Sequence, residues 1–451
     1  MARLPDAVLG DAYASDRGWS LLEDLVDVGN RMAGQEGERA AARRVADAFE
    51  DAGCREVRID EFPIPGWWRG ESSLTVRSPV ERSYRADHEV IALPGTPAGE
   101  VEAELVDVGH GTDEEFEAAD LEGAVAMASS DAPDADRWIH RMEKYAAAAE
   151  AGAVGFVFRN HVEGALPPTG EVGYHERPGP IPAVGVSKEL GSRLARWADE
   201  AGTGSDGPSV TLSVDCRNDP ATSRNVEAVV GPDTDEEVLV TAHVDAHDIA
   251  EGANDNGAGC AIVAEAGRLL VRAEGELDTR VRLVTFGAEE IGLYGAYHWA
   301  DSHDLDDVRA VLNVDGACNS RDLRVGHQGF ESLGAAFESV TDELGAPLST
   351  SDTVSPHGDQ WAFVEEGVPA AFVSTVSGES GRGWGHTHAD TLDKLDVRDL
   401  RAVAIQVACA AVAVADEDRT LERRTREAIR EELSEGYVRE LKVGGRWHYD
   451  E

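Results

Sequence analysis

The stretch HVDAHDIAEGANDNGAG, residues 243–259, places two histidines and four acids within seventeen positions. Imidazole nitrogen and carboxylate oxygen, with no thiol in the stretch, form a donor set for a divalent cation. Zinc suits it best, at ligand distances of roughly 2.0–2.2 Å, with manganese or cobalt as substitutes. Three acid-bearing positions share one local character, because each follows a short apolar run that reads as a buried strand. VLVTA runs into His243-Val244-Asp245, VRLVTFGA into Glu289-Glu290, and AVLNV into Asp315. An unpaired charge leaving a buried strand is costly, and a shared cation removes that cost. Asp255 joins the group through GANDNGAG, a glycine-rich loop just before an apolar helix, and its two oxygens are able to bridge two metals. Asp245, two residues from His243, is placed to orient the imidazole through its other ring nitrogen.

The bland alternative is an acid-rich surface into which histidines happen to fall. The 451 residues hold 87 Asp+Glu against 41 Lys+Arg, a formal net charge of -46, so an average Asp here is a solvated one. Only Lys144, Lys188, Lys394 and Lys442 are lysines. Such acidity with little lysine fits a halophile-like cytoplasm, where concentrated salt screens self-repulsion. It argues against nucleic acid or an anionic membrane as partner. A disordered acidic chain is excluded because 42% of residues are hydrophobic and lie in periodic segments. No apolar run reaches membrane-spanning length, the first residues lack the basic-then-apolar order of a signal peptide, and the five cysteines are scattered. A reduced, cytoplasmic location is therefore expected.

Positioning such residues needs a sheet. GERAAARRVADAFEDAG has Ala41, Val45 and Phe49 at helical spacing with a closing glycine, and REVRIDEFPIPGWW then alternates like a strand. From 88 to 215 the texture changes to short strands, VEAELVDVG, GAVAMAS, AGAVGFVFRN and IPAVGVS, with a helix in RMEKYAAAAEAGA. This block reads as an inserted module. Beyond it, strands and helices alternate again, as in GCAIVAEAGRLLVRA and IGLYGAYHWADSH, with apolar runs suited to strands covered on both faces. Functional residues collect past the carboxyl ends of such strands. The segment EDRTLERRTREAIREELSEGYVREL reads as a charged helix, for packing or homo-oligomer contact. The expected division is 1–87 and 216–416 for the main domain, 88–215 for the insert and 417–451 for the charged tail.

With HVD, GANDNGAG, GAEEIGLYGA, NVDG and HTHADT in this order and spacing, the chain resembles the M28 family of zinc-dependent peptidases. The 88–215 block is similar to the protease-associated (PA) domain inserted in many members. The resemblance implies a three-layer α/β/α sandwich with a mixed, largely parallel central sheet, plus an inserted mainly-β PA domain. It implies two zinc ions, one held by His243, Asp255 and Asp315, the other by Asp255, Glu290 and His386, with Asp255 bridging and Glu289 as general base. His386 is chosen over His388 because HTHADT aligns with the family's His-Thr-x-x-Asp-Thr. His247 is not needed by the pattern and reads as solvated or substrate-facing. In SPHGDQWAF, His357 and Asp359 lie where relatives carry Ser-Asp-His, and here the histidine is displaced.

The implied activity is exopeptidase action on peptides, as an aminopeptidase first. A carboxypeptidase of the same fold needs arginines for the terminal carboxylate, and Arg321, Arg324 and Arg382 keep it open. A glutaminyl-cyclase-like acyltransferase would use one zinc, and a receptor-like binding protein would have lost its ligands.

Overall fold

The computed structural model describes residues 4–135, 137–175, 177–201, 207–376 and 384–449. Arg382 lies outside them. The chain divides into two units, the first of 1–64, 221–385 and 390–433, the second of 65–220, 386–389 and 434–451.

In the first unit the apolar runs become strands β1 (Glu237–His243), β2 (Arg280–Phe286), β3 (Val308–Val314), β4 (Leu323–Gly326), β5 (Leu348–Ser351) and β6 (Ala370–Thr375). Their order is β5-β4-β6-β3-β1-β2, followed by the end of strand Ser209–Val230. β2, β1, β3 and β6 run parallel, β4 pairs antiparallel with β6 and parallel with β5, and residues 226–230 pair antiparallel with β2. Every residue of β1 is buried, which explains an apolar run without alternation. β2 makes the reason visible. Leu283 reaches towards helix Ala258–Arg272, where a Cβ on Gly267 would lie 2.3 Å from its Cδ1. Phe286, three residues on and so on the opposite face, meets Phe363 at a ring distance of 6.2 Å. Helices Arg17–Val26, Glu36–Ala52, Ala258–Arg272 and Val397–Ala415 pack together, whereas Trp299 and Phe363 join helices Tyr294–Ser302 and Trp361–Val364.

The second unit has parallel strands Gly99–Asp107, Val125–Ser129, Gly155–Arg159 and Ala183–Val186, the four apolar runs of the insert. Helices Asp113–Ala118, Arg141–Glu150 and Lys188–Ala201 accompany them. Tyr145, Phe156, Phe158 and Leu121 form its core.

The charged tail is not one helix but two, Arg426–Glu432 and Glu435–Gly444. Ser434 accounts for the break, because its Oγ accepts the Tyr437 N–H at 3.2 Å and caps a new helix instead of continuing the old one. None of the described helices is long and apolar enough to cross a membrane, and Cys54, Cys216, Cys260 and Cys318 are free thiols.

Candidate metal centre

Parallel register brings the acids together. Phe286 pairs with His243, and Asn313 with Thr241, so Asp315, two residues past Asn313, comes level with His243 at the carboxyl edge of the sheet. His243 is 1% exposed. Its Nε2 makes no hydrogen bond and is ringed by carboxylate oxygens of Asp255 at 3.3 Å, Asp315 at 3.7 Å and Glu289 at 3.9 Å. His243, Asp255 and Asp315 each offer a ligand atom within one common 4.8 Å cluster. A buried imidazole nitrogen facing three oxygens without a hydrogen bond fits a cation.

Asp255 arrives from the irregular turn 253–257. Asn256 Nδ2 donates to Val314 O at 2.9 Å and its Oδ1 accepts Gly259 N–H at 3.0 Å, tying the turn to the end of β3 beside Asp315. Gly259 permits this approach, since a Cβ there would lie 2.0 Å from Asn256 Oδ1. Asp390, the acid of HTHADT, accepts the Asn254 and Asp255 N–H groups at 2.9 and 3.0 Å and so fixes the backbone that carries the carboxylate.

Glu289 and Glu290 do not end their strand. β2 stops at Phe286, and the pair sits on a turn through Ala288, whose φ is +58°. Both amides donate to the Asp245 carboxylate, Glu289 N–H at 3.1 Å and Glu290 N–H at 3.2 Å. The expected orientation of His243 is shared differently. Nδ1 is 3.1 Å from the Asp245 carbonyl oxygen and 3.5 Å from its carboxylate. Asp245 thus holds the imidazole chiefly by its main chain and the glutamate turn by its side chain.

His247 is not solvated. It is 5% exposed, with Nε2 2.9 Å from Glu290 Oε2, so it stands beside a residue of the expected second metal set. Asp359 is a further acid acting on Glu289. It is fully buried and neither oxygen has a hydrogen-bond partner, while His357 pairs with Ser355 Oγ at 2.9 Å. His386 falls in the four-residue piece counted with the second unit, where it has a φ of +57° and its carbonyl accepts the Thr169 N–H at 2.8 Å.

The acids determine the proton inventory. Burial holds Glu289 well above the usual carboxylate range, and the charges of Glu290, Asp359 and Asp315 add to this while His243 opposes it. Burial likewise raises Asp359, helped by Asp245, Asp315 and Glu290. For His243, burial disfavours the imidazolium, but Glu289, Asp245, Asp255 and Asp315 outweigh it and raise its pKa. In the metal-free protein a proton therefore does part of a cation's work, and metal uptake must release it.

Asp390 gives a measurable pH dependence. Burial first, then Asp255, push it up to about 6. Between the unfolded Asp value of about 3.9 and that value, the folded chain binds a proton the unfolded chain lacks. Asp390's own contribution to the stability of the metal-free protein therefore falls as pH rises through the window, by up to about 1.4 kcal/mol per unit. Asp390→Asn lacks this slope and leaves one of two amides without an acceptor. Urea melts should show a penalty for Asp390→Asn that is about 1–3 kcal/mol larger at pH 4 than at pH 7. A pH-independent penalty would count against the assignment.

Residues 225–411 match the family model for Peptidase family M28, and residues 101–194 that of the PA domain. The chain is 26% identical over 429 residues to Carboxypeptidase Q of Homo sapiens, covering 91% of this chain and 88% of the human protein. It is 26% identical over 413 residues to Aminopeptidase YwaD of Bacillus subtilis (strain 168), covering 88% of this chain and 84% of that protein. The solved structure of a Peptidase M28 precursor from Shewanella amazonensis SB2B superposes with a TM-score of 0.77 at 26% identity, over 93% of this chain and 98% of that one. The family match spans β1 to β6 and all the strand-end acids described above, and the chain therefore carries an M28 peptidase domain together with a PA domain and is a hydrolase acting on peptide bonds.

Proposed function

We propose that the protein is a zinc-dependent aminopeptidase working with two metal ions bridged by Asp255. The observation that carries this reading is the buried His243 Nε2 ringed by Asp255, Asp315 and Glu289. His243, Asp255 and Asp315 would hold one ion, and Asp255, Glu290 and His386 the other. His386 lies four residues before Asp390, which grips the Asp255 backbone. His247, 2.9 Å from Glu290, is a further donor beside the second ion. The bound ions would supply Lewis-acid polarisation of the carbonyl and a more acidic water.

The chain's own residues do the rest. Glu289 takes the proton of the attacking water and returns it to the leaving amine. Its backbone is pinned by Asp245, so the carboxyl group keeps one aim in both steps. His243 and Asp315 keep fixed places because each leaves a buried parallel strand.

Charge favours a substrate ammonium over a substrate carboxylate. Asp255, Glu289, Glu290, Asp315 and Asp359 crowd the first unit's site. Arg321, by contrast, is engaged by Asp399 at 3.2 Å, and Arg31 gives its described hydrogen bonds to main-chain carbonyls. The likeness to Carboxypeptidase Q favours the second reading, a carboxypeptidase. Digestion of a peptide library in concentrated KCl with added zinc, read by mass spectrometry, separates the two. Peptides with a blocked carboxyl terminus should be shortened from the amino end, and peptides with a blocked amino terminus should resist. The reverse pattern would establish the carboxypeptidase. The free thiols of Cys54, Cys216, Cys260 and Cys318 and the charge of -46 support a reducing, salt-rich cytoplasm as its setting.

A further inference from the structure

Arg31 lies far in sequence from every residue of the metal centre, yet it is 1% exposed and gives four hydrogen bonds beneath the loop that joins two of the ligands. Its Nε donates to Val244 O at 3.2 Å. Nη1 donates to Glu251 O at 2.7 Å and to Leu25 O at 3.1 Å, and Nη2 donates to Gly252 O at 2.9 Å. In return, the Arg31 carbonyl accepts the Ala246 N–H at 3.2 Å. Gly252, with φ +58°, admits this contact, because a Cβ there would lie 2.9 Å from Nη2 and 2.5 Å from Ala246 Cβ.

The geometry carries a functional consequence. From His243 to Asp255 is twelve residues, enough chain to reach about 40 Å when extended, yet His243 Nε2 and Asp255 Oδ1 are 3.3 Å apart. Residues 244–252 contain no helix or strand to enforce that closure. Asp390 and Asn256 hold the Asp255 end, and Arg31 links the two ends, since one planar fork holds the loop just after His243 and again three residues before Asp255. Only a guanidinium presents several donors in fixed directions, and an ammonium on a flexible stem does not. Its charge also acts on Asp390, Asp245 and Asp255, which lowers their mutual repulsion before a cation arrives.

We infer that Arg31 is a positioning residue of the metal centre, which sets the spacing of His243 and Asp255 and thereby the zinc affinity and the turnover. This rests on the two-metal reading above. The test uses the full chain as wild type, Arg31→Lys and Arg31→Ala. Zinc affinity is measured by competition with a chelator, kcat and KM on one peptide, and fold by circular dichroism. Both variants should stay folded, bind zinc about 10–100-fold more weakly, and lose kcat at saturating zinc with KM nearly unchanged. Millimolar guanidinium should restore part of the zinc affinity to Arg31→Ala and none to Arg31→Lys, whose side chain fills the space without the fork. Wild-type zinc affinity and kcat in both variants would overturn the inference, as would a rise in KM alone. Unfolding of both would reduce Arg31 to a core residue and overturn it too. Failure of the wild type itself to take up zinc would instead sink the metal reading beneath it.

Discussion

Glu289→Gln is expected to bind zinc like the wild type and to lose about 10²–10⁴-fold in kcat. The substitution keeps size and shape, and the two backbone amides on Asp245 are untouched, so the turn that also carries Glu290 stays in place. What disappears is the ability to take a proton. In the metal-free site Glu289 is held high by burial and by the neighbouring acids. Cations on those acids reverse that repulsion, leaving an ionised base 3.9 Å from His243 Nε2, too far to be tied up by a hydrogen bond. Metal content by mass spectrometry alongside initial rates decides the matter. Near-wild-type turnover would remove Glu289 from the mechanism.

Asp255→Ala is expected to abolish zinc binding and reduce peptide hydrolysis to background. Asp255 is the one acid proposed for both ions, so no other side chain replaces it. The stability signature is distinct from that of an ordinary core defect. Without metal, the variant should be less stable than the wild type only where His243 is protonated, because it removes one of the carboxylates that hold the proton on that imidazole. With zinc at 100 to 1,000 times its dissociation constant, the wild type gains about 3–4 kcal/mol by mass action, and the variant gains nothing. Thermal melts with and without zinc give both numbers. A zinc-dependent gain in Asp255→Ala equal to that of the wild type would contradict the bridging role.

The parts legible in the sequence are those that periodicity or side-chain type encodes. Buried parallel strands need continuous apolar runs, so β1, β2 and β3 stand out, and the residues leaving them follow by position. The rest depends on main-chain groups, which residue type does not report. Asp245 grips two amides and offers its carbonyl to His243, and nothing in the letters HVD distinguishes this from a carboxylate on the imidazole. Asp390 was visible only as a letter of HTHADT, because its partners are the amides of Asn254 and Asp255. Arg31 left no signal at all, since three of its four targets are carbonyls more than two hundred positions away. His247 depends on the path of an irregular loop, which has no period to read. Asp359 was hidden by a displaced histidine in a motif otherwise in place.

The most direct test of the two-metal account is anomalous scattering at the zinc edge from crystals of the zinc-loaded protein. Two peaks about 3.5–4 Å apart are predicted, one against His243 and Asp315, the other against Glu290, with Asp255 between them. A single peak would point to one-metal acyl-transfer chemistry, and no peak at these residues would point to a binding protein. Either result would contradict the account.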